Sequence, residues 1–547
     1  MERVKDWIIK NWLETMIFIG ILLLLFWRLG AFPEILDHNI DVGIHPQVNK
    51  VVDNLVVPGE ITWSWQDLHQ YEAGRSPVYG GMIELGLRLF GLTLFGIRLF
   101  PAIMAFFVLI LMYFTAIKFF PRVLALIFIV IFSTAPWYLA LARSGGIVGF
   151  SLNLAIVALC LVVLLINKKK EKAIILALAT GISVALIPYG YAILRPLYPL
   201  LILLVILFCR KIKLTNLILF LVVILAAFSL QFATLNSSLE HFFAARGESS
   251  IFTFIGLLQQ QNVSEPLQNI VNNFSAEFRL LFGLTALDNL WNAPIAHIIN
   301  HPDILYYPRF LVPFFAIGFL LCLIDFLKTR SKRLLAPILF FFVAVFPGTV
   351  GSAIGGPCLG RDTLAVIPMY FFMAYAIYIV FFERYLERSP KKKFVITTTG
   401  LVLLIALISG YQIYNYFGLG EFRGERTSAG CRLYPAVMSC LAQKPDAKVL
   451  VQEYGPFDEY GAYVILRLIG GAPFQEKVKN GQITFIRNEN LKELDSLIRS
   501  SYFDFVVTSA LPMLQNPDVG LPVVESYQSS LFPGFEDVYV FDMKQLK

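Results

Sequence analysis

The groups able to do chemistry gather in the polar stretches that separate long apolar runs. Between the first two of these runs lie Glu34, Asp37, Asp41, Asp53, Glu60, Asp67 and Glu72. A carboxylate just past a membrane span, facing a cavity at membrane level, can take a proton from an acceptor hydroxyl within hydrogen-bond reach. Arg75, Arg143, Arg195 and Arg361 stand at the ends of apolar runs. The planar guanidinium fork grips phosphate oxygens in pairs, so this set suits an anionic lipid head group. Interfacial anchoring is the other reading of Arg75, because a long basic side chain places its stem in the apolar layer and its head at the polar edge. The histidines, His38, His45, His69, His241, His297 and His301, all fall in two long polar stretches. They are either ordinary loop residues or part of a site that could hold a divalent metal, although no HxxH or HxxxH spacing on a convincing helix supports metal binding. His45, close to Asp41 in the chain, joins the candidate substrate-binding residues.

The elements that must position these groups are membrane helices. The chain has 547 residues, is 57% hydrophobic and has a mean hydropathy of +0.68. Apolar runs suited to crossing a bilayer, at roughly 20 residues each, occur at 12–26, 99–117, 147–166, 174–187, 217–230, 311–327, 334–346, 364–382 and 395–408. The first follows Arg3, Lys5, Asp6 and Lys10 and is read as a retained span rather than a removed leader. The net charge of +7 sits in NKKKEK (167–172), CRKIK (209–213), KTRSKR (328–333) and ERYLERSPKKK (383–393), all short connections between runs. That is the positive-inside pattern, which makes the charge topological and argues against a nucleic-acid partner. It places residues 188–196, 231–308, 348–361 and everything after about Tyr411 outside. From a cytoplasmic N-terminus, 99–117 is expected to run outward. The run 124–132 would then lie between two outer ends, as a re-entrant hairpin or partial span. The expectation is a polytopic α-helical membrane protein with about eleven spans plus that segment.

Two outer loops are expected at 29–77 and 231–308, the second too long to lack helices of its own. From about Gly418 the hydropathy falls, and AKVLVQEY, GQITFIR, YFDFVVTS and EDVYVFDM alternate with helical stretches. This divides the chain into a membrane domain, 1–415, and a small extracytoplasmic α/β domain, 418–547. Cys431 and Cys440 fall in the second, where an oxidising compartment could join them.

Several stretches together resemble one superfamily. EAGRSPVYGGMIELGLRLFG (72–91) is similar to the K-P-P-L-Y…LFG element of the protein O-mannosyltransferase and aminoarabinose-transferase superfamily, a bacterial branch of which it looks like. IRLFPAIMAF (97–106) resembles its R-L-P-S-A-L stretch, and STAPWYLALARSGG (133–146), which holds Arg143, its SPWH…SR. IPYGYAILRPLYP (187–199) resembles the Y-x-Y…R…P turn through Tyr189, Tyr191 and Arg195. FSAEFRLLFGLTALDN (274–289) and GPCLGRDTLAVIPMYF (356–371), with Arg361, follow in the family's order. The resemblance implies the GT-C fold and a glycosyltransferase that takes a sugar from a polyprenyl-phosphate donor, with inversion, at the outer face. An acid of the first outer loop would be the base, Asp41 first and Asp37 second, and Arg75 would take the family lysine's place on the carrier phosphate. The acceptor could be lipid, glycan or protein, and the setting a bacterial cytoplasmic membrane. The chain departs from the family in three places. Asp37-His38 and Asp41-Val42 stand where relatives have an Asp-Glu pair, Arg75-Ser76-Pro77 stands for K-P-P, and Ile147 replaces an acid. These departures keep open a non-catalytic or diverged lipid-linked-glycan binding protein. A transporter or flippase of such glycans is the other alternative.

Overall fold

The computed structural model describes residues 11–30, 77–90, 93–143, 147–168, 173–189, 197–235, 309–351, 363–383, 391–417, 429–452, 480–486, 502–508, 523–527 and 538–542, with a few positions near 268–275 and 476–478. The helices are α1 (Trp12–Phe26), α2 (Pro77–Phe90), α3 (Leu94–Ala116), α4 (Arg122–Ser133), α5 (Pro136–Arg143), α6 (Ile147–Asn167) and α7 (Ile174–Leu186). They continue with α8 (Leu197–Leu207), α9 (Leu214–Leu235), α10 (Val312–Thr329), α11 (Lys332–Gly351), α12 (Val366–Ile377), α13 (Lys391–Phe417) and α14 (Ala429–Gln443). By length and composition α3, α10 and most of α6 and α13 can each cross a membrane. The pair α4 and α5, bent by 67° at their junction, makes one further crossing if taken together. Shorter apolar helices, α1, α7, α8, the first part of α9, and α12 with the π-helical turn after it, complete the set. Their outer faces carry exposed Leu23, Ile175, Leu207, Leu225 and Leu407, as lipid-facing helices should.

The direction of α3 differs from the sequence expectation. Its C-terminal Tyr113 donates to the Glu14 carboxylate at the start of α1, at 3.1 Å, while its N-terminal Arg98 reaches the Leu29 carbonyl beyond the end of α1, at 3.4 Å. α3 is therefore antiparallel to α1 and returns to the side from which α1 started. The run 124–132 then needs no hairpin between outer ends. α4 starts beside Glu14, where Arg122 pairs with that carboxylate, and α5 ends beside the Leu24 and Trp27 carbonyls. Together they run the length of α1. The break has a local cause: Pro136 disfavours helix at the residue before it and has no N–H to continue the ladder. The Thr134 hydroxyl donates to Gln412 Oε1 on α13 at 2.7 Å, and Gln412 Nε2 donates to the Tyr370 hydroxyl on α12 at 2.9 Å. The Thr134 hydroxyl also lies 3.0 Å from the Val130 carbonyl and 3.3 Å from that of Ile131, so polar groups at the break have partners inside the bundle, as a membrane interior requires.

Close helix approach uses glycine where a Cβ cannot fit. At Gly318 of α10 an added Cβ would fall on the Phe372 carbonyl of α12, and at Gly86 of α2 on the Gly96 carbonyl of α3.

After α14 the described strands are β1 (Val449–Gln452), β2 (Ile483–Ile486), β3 (Phe505–Thr508), β4 (Val523–Tyr527) and β5 (Val538–Asp542), in the order β2-β1-β3-β5-β4. β1 is parallel to β2 and β3, with Val449 opposite both Ile483 and Phe505. β5 is antiparallel to β3 and β4. Val449, Val451, Val507 and Val540 pack with Ala436, Val437 and Cys440 of α14, a core separate from that of the bundle. Four strands lie in the runs the sequence marked; β4 does not. The Cys431–Cys440 disulfide is ruled out by geometry. Both residues lie on α14, and nine positions of helix rise about 13 Å, beyond the Cα separation a disulfide spans.

Candidate functional site

The bundle has two ends, marked by Arg143 and by Glu14, separated along α1 by about 20 Å of helix. At the Arg143 end the chain leaves α1 through Arg28, whose φ of 52° is left-handed. Two fully buried arginines hold this turn. Arg143 donates through Nη1 to the Leu24 carbonyl at 2.9 Å and through Nη2 to the Trp27 carbonyl at 2.6 Å. Arg98 donates to the Leu29 carbonyl. Both arginines have 0% relative exposure. Carbonyls at a helix C-terminus carry partial negative charge, so the guanidinium is placed where the α1 dipole favours it. The Arg143 guanidinium carbon also lies 4.7 Å from the Phe417 ring centre and 5.4 Å from that of Tyr416, at the end of α13. Desolvated cation–π contacts of this kind add to its hold. The segment so fixed leads directly to the stretch that carries Asp37 and Asp41.

Beneath Arg143, Trp137 and Tyr138 on α5 are fully buried. The Tyr138 hydroxyl lies 3.3 Å from both the Ala105 carbonyl and Asn153 Oδ1, tying α5 to α3 and α6. Arg143 therefore rides on a short helix fastened on three sides.

Of the residues singled out in the sequence, Arg143 is the one whose side chain is described. Tyr189 ends a short turn, Ile187–Tyr189, after α7. Asp37, Asp41, His45, Arg75, Tyr191, Arg195 and Arg361 lie outside the described residues, as do the six histidines and with them the metal expectation. The described element ends nearest to these positions nevertheless converge. Tyr79, in the first turn of α2, packs on Phe150 at the start of α6, with ring centres 5.8 Å apart. The turn after α7 contacts α6 and α8. α12 runs from Val366 toward Tyr375, whose hydroxyl donates to Asp325 near the other end of α10 at 2.8 Å. The start of α2, the end of α7 and the start of α12 thus all face the Arg143 end.

Sequence reasoning missed Arg98, Glu14 and Gln412. The signal for Arg98 and Gln412 was a charged or amide side chain at the edge of an apolar run, within reach of a helix that extends past it, which a bilayer tolerates only when it is engaged. For Glu14, 3% exposed and joined to Tyr113 and Arg122, the signal was an acid in the first turn of an apolar helix.

Comparison with solved structures defines the fold. The chain superposes on ArnT from Cupriavidus metallidurans in the apo state, with a TM-score of 0.53 and 12% identity, over 99% of its length and 98% of that protein's. The same protein bound to undecaprenyl phosphate gives a TM-score of 0.50 and 13% identity, over 97% and 98% of the two chains. Archaeal oligosaccharyltransferase AglB from Archaeoglobus fulgidus, in complex with an inhibitory peptide and a dolichol-phosphate, gives a TM-score of 0.50 and 13% identity, over 92% of this chain and 70% of that one. No protein-family model and no curated protein matches the sequence. The chain is an integral membrane protein with the GT-C fold.

Proposed function

We propose that the protein is a glycosyltransferase that moves a sugar from a polyprenyl-phosphate donor to a lipid, glycan or protein acceptor at the Arg143 end of the bundle. The observation that carries this reading is the near end-to-end match with ArnT, terminal region included, beside the buried arginines that fix the exit from α1. In this reading Asp41 is the general base, with Asp37 second, and takes the acceptor proton as the acceptor oxygen attacks the anomeric carbon and the carrier phosphate leaves. Arg75 holds that phosphate. Arg195 and Arg361 border the same end, with Tyr189, Tyr191 and His45 lining the sugar. Arg143 holds the turn that carries the base into place and adds positive potential to the site. The Arg143 end and the α/β domain (418–547) face away from the cytoplasm, in a bacterial cytoplasmic membrane, because the basic connections lie at the opposite end.

The experiment is transfer from a panel of radiolabelled polyprenyl-phosphate sugars by the purified full chain. Asp41→Asn lowers turnover about 10²- to 10⁴-fold while donor binding persists, and Arg75→Ala weakens donor binding. Donor binding without turnover in the unaltered protein, across acceptors, would replace this reading with a non-catalytic glycan-binding one. The missing Asp-Glu pair is the specific observation on that side.

A further inference from the structure

At the Glu14 end, far from the site above, a cavity of about 540 Å³ opens between α6, α11, the turn that follows α3 and the end of α8. Its walls are Phe119, Ile166, Leu204 and Phe208, and its rim carries Arg210 and Lys211 from the turn that follows α8. The Lys211 ammonium sits 4.9 Å from the Phe208 ring centre, so a cation is held against the apolar wall. Leu203, Ile206 and Leu207 on the neighbouring surface of α8 are exposed, which puts the cavity beside the lipid-facing side of the bundle. Topology alone needs basic residues in this connection but needs no cavity beside them. An apolar chamber of ligand size with two cations at its mouth, at the level where helices end, matches the two-part chemistry of an anionic phospholipid. A free phosphate would leave the apolar walls without a partner, and a neutral lipid would leave the cations without one.

We propose that this cavity is a binding site for an anionic phospholipid, with acyl chain against Phe119, Ile166, Leu204 and Phe208 and the head-group phosphate on Arg210 and Lys211. The site is independent of the transfer reaction and stands whether or not that reaction is observed.

The test is native mass spectrometry of the full chain released from nanodiscs of equal phosphatidylglycerol and phosphatidylcholine. Two basic residues near the head group, at roughly five-fold each, give an expected enrichment of about 25-fold for the anionic lipid. Arg210→Ala with Lys211→Ala reduces the enrichment to bulk proportions; both side chains are exposed, so the bundle is unaffected. Ala336→Trp, which fills the cavity from α11, removes the bound lipid while leaving Arg210 and Lys211 in place. A wild-type lipid ratio equal to bulk would overturn the proposal. So would enrichment that survives both changes. Loss with Ala336→Trp but retention in the double alanine variant would overturn its anionic character.

Discussion

At the Glu14 end of the bundle a guanidinium meets a carboxylate, whereas at the Arg143 end guanidiniums meet backbone carbonyls and ring faces. Arg122 pairs with the buried Glu14, is also bonded to Asn11, and keeps about half of its side chain in contact with solvent. The Tyr113 hydroxyl completes that group. This is a closed ion pair, and its work is to fasten α1, α3 and α4 together. Arg143 and Arg98 instead spend their described hydrogen bonds on Leu24, Trp27 and Leu29 carbonyls. Carbonyls and rings orient a guanidinium without carrying a formal charge of their own. The contrast is between a clamp that joins three helices and a pair of arginines that fix the exit from α1, the end of the bundle where the proposed reaction would take place.

The strongest test of that contrast is Arg143→Ala. It strands two carbonyls at the end of α1 and empties a fully buried position, for an expected loss of about 3 kcal/mol in stability. Transfer should fall below about 1% of the unaltered rate, since an oriented charge in a water-excluded site contributes on the order of 10²-fold or more. Unfolding in mixed micelles and turnover per folded molecule measure the two effects separately. A stability loss with undiminished turnover would make Arg143 a clamp like Arg122 and erase the distinction.

Glu14→Gln comes next and should show the opposite signature. The amide keeps hydrogen-bonding capacity but gives up the charge facing Arg122, at an expected cost of about 2 kcal/mol. Turnover per folded molecule should stay within about two-fold, because the group lies a full helix length from the site. A large fall in turnover would mean that the two ends are coupled through α1.

How much of this could be read from the sequence depended on where the physics was local. The apolar runs announced their helices, and VLVQ, ITFI, FVVT and VYVFD announced strands through β-branched and aromatic enrichment. The crossing made of α4 and α5 was misread because the kink at Pro136 divides it into pieces of 12 and 8 residues, each too short to span. The direction of α3 went wrong with it. Arg143 was visible as an arginine at the end of an apolar run. Its partners were not, because they are main-chain carbonyls more than 100 residues away, at Leu24 and Trp27, and no side-chain pattern marks a carbonyl. Glu14 passed unnoticed beside the charges that precede the first span, Arg3, Lys5, Asp6 and Lys10. Nothing in one sequence tells an acid that pairs with Arg122 from one that merely flanks a span.

Thr134→Val tests the kink that places Arg143. It removes the hydroxyl that donates to Gln412 but preserves the shape, and leaves the amide with Tyr370 as its described partner. One buried hydrogen bond of this type contributes about 1 kcal/mol. Because α5 also rests on Tyr138 and its contacts with Ala105 and Asn153, turnover should drop only about two- to five-fold. A drop as deep as that of Arg143→Ala would place the positional control at the kink instead of at the guanidinium.

The smallest expected effect belongs to Tyr113→Phe, which asks what Glu14 needs besides its arginine. The substitution removes a single O–H that donates to Glu14 Oε1 at 3.1 Å and keeps the ring, whose centre lies 5.5 Å from that of Phe18 in an edge-to-face contact. Packing is therefore preserved, and the loss should be about 1 kcal/mol, with turnover unchanged. Combined with Glu14→Gln it completes a double-mutant cycle, and the two losses should sum to less than their separate values because both act on one carboxylate. Strict additivity would show that the Tyr113 hydroxyl acts independently of the Glu14 charge and that Arg122 alone holds that charge. The Glu14 end would then be a two-member clamp, simpler than the arginine, carbonyl and aromatic assembly around Arg143.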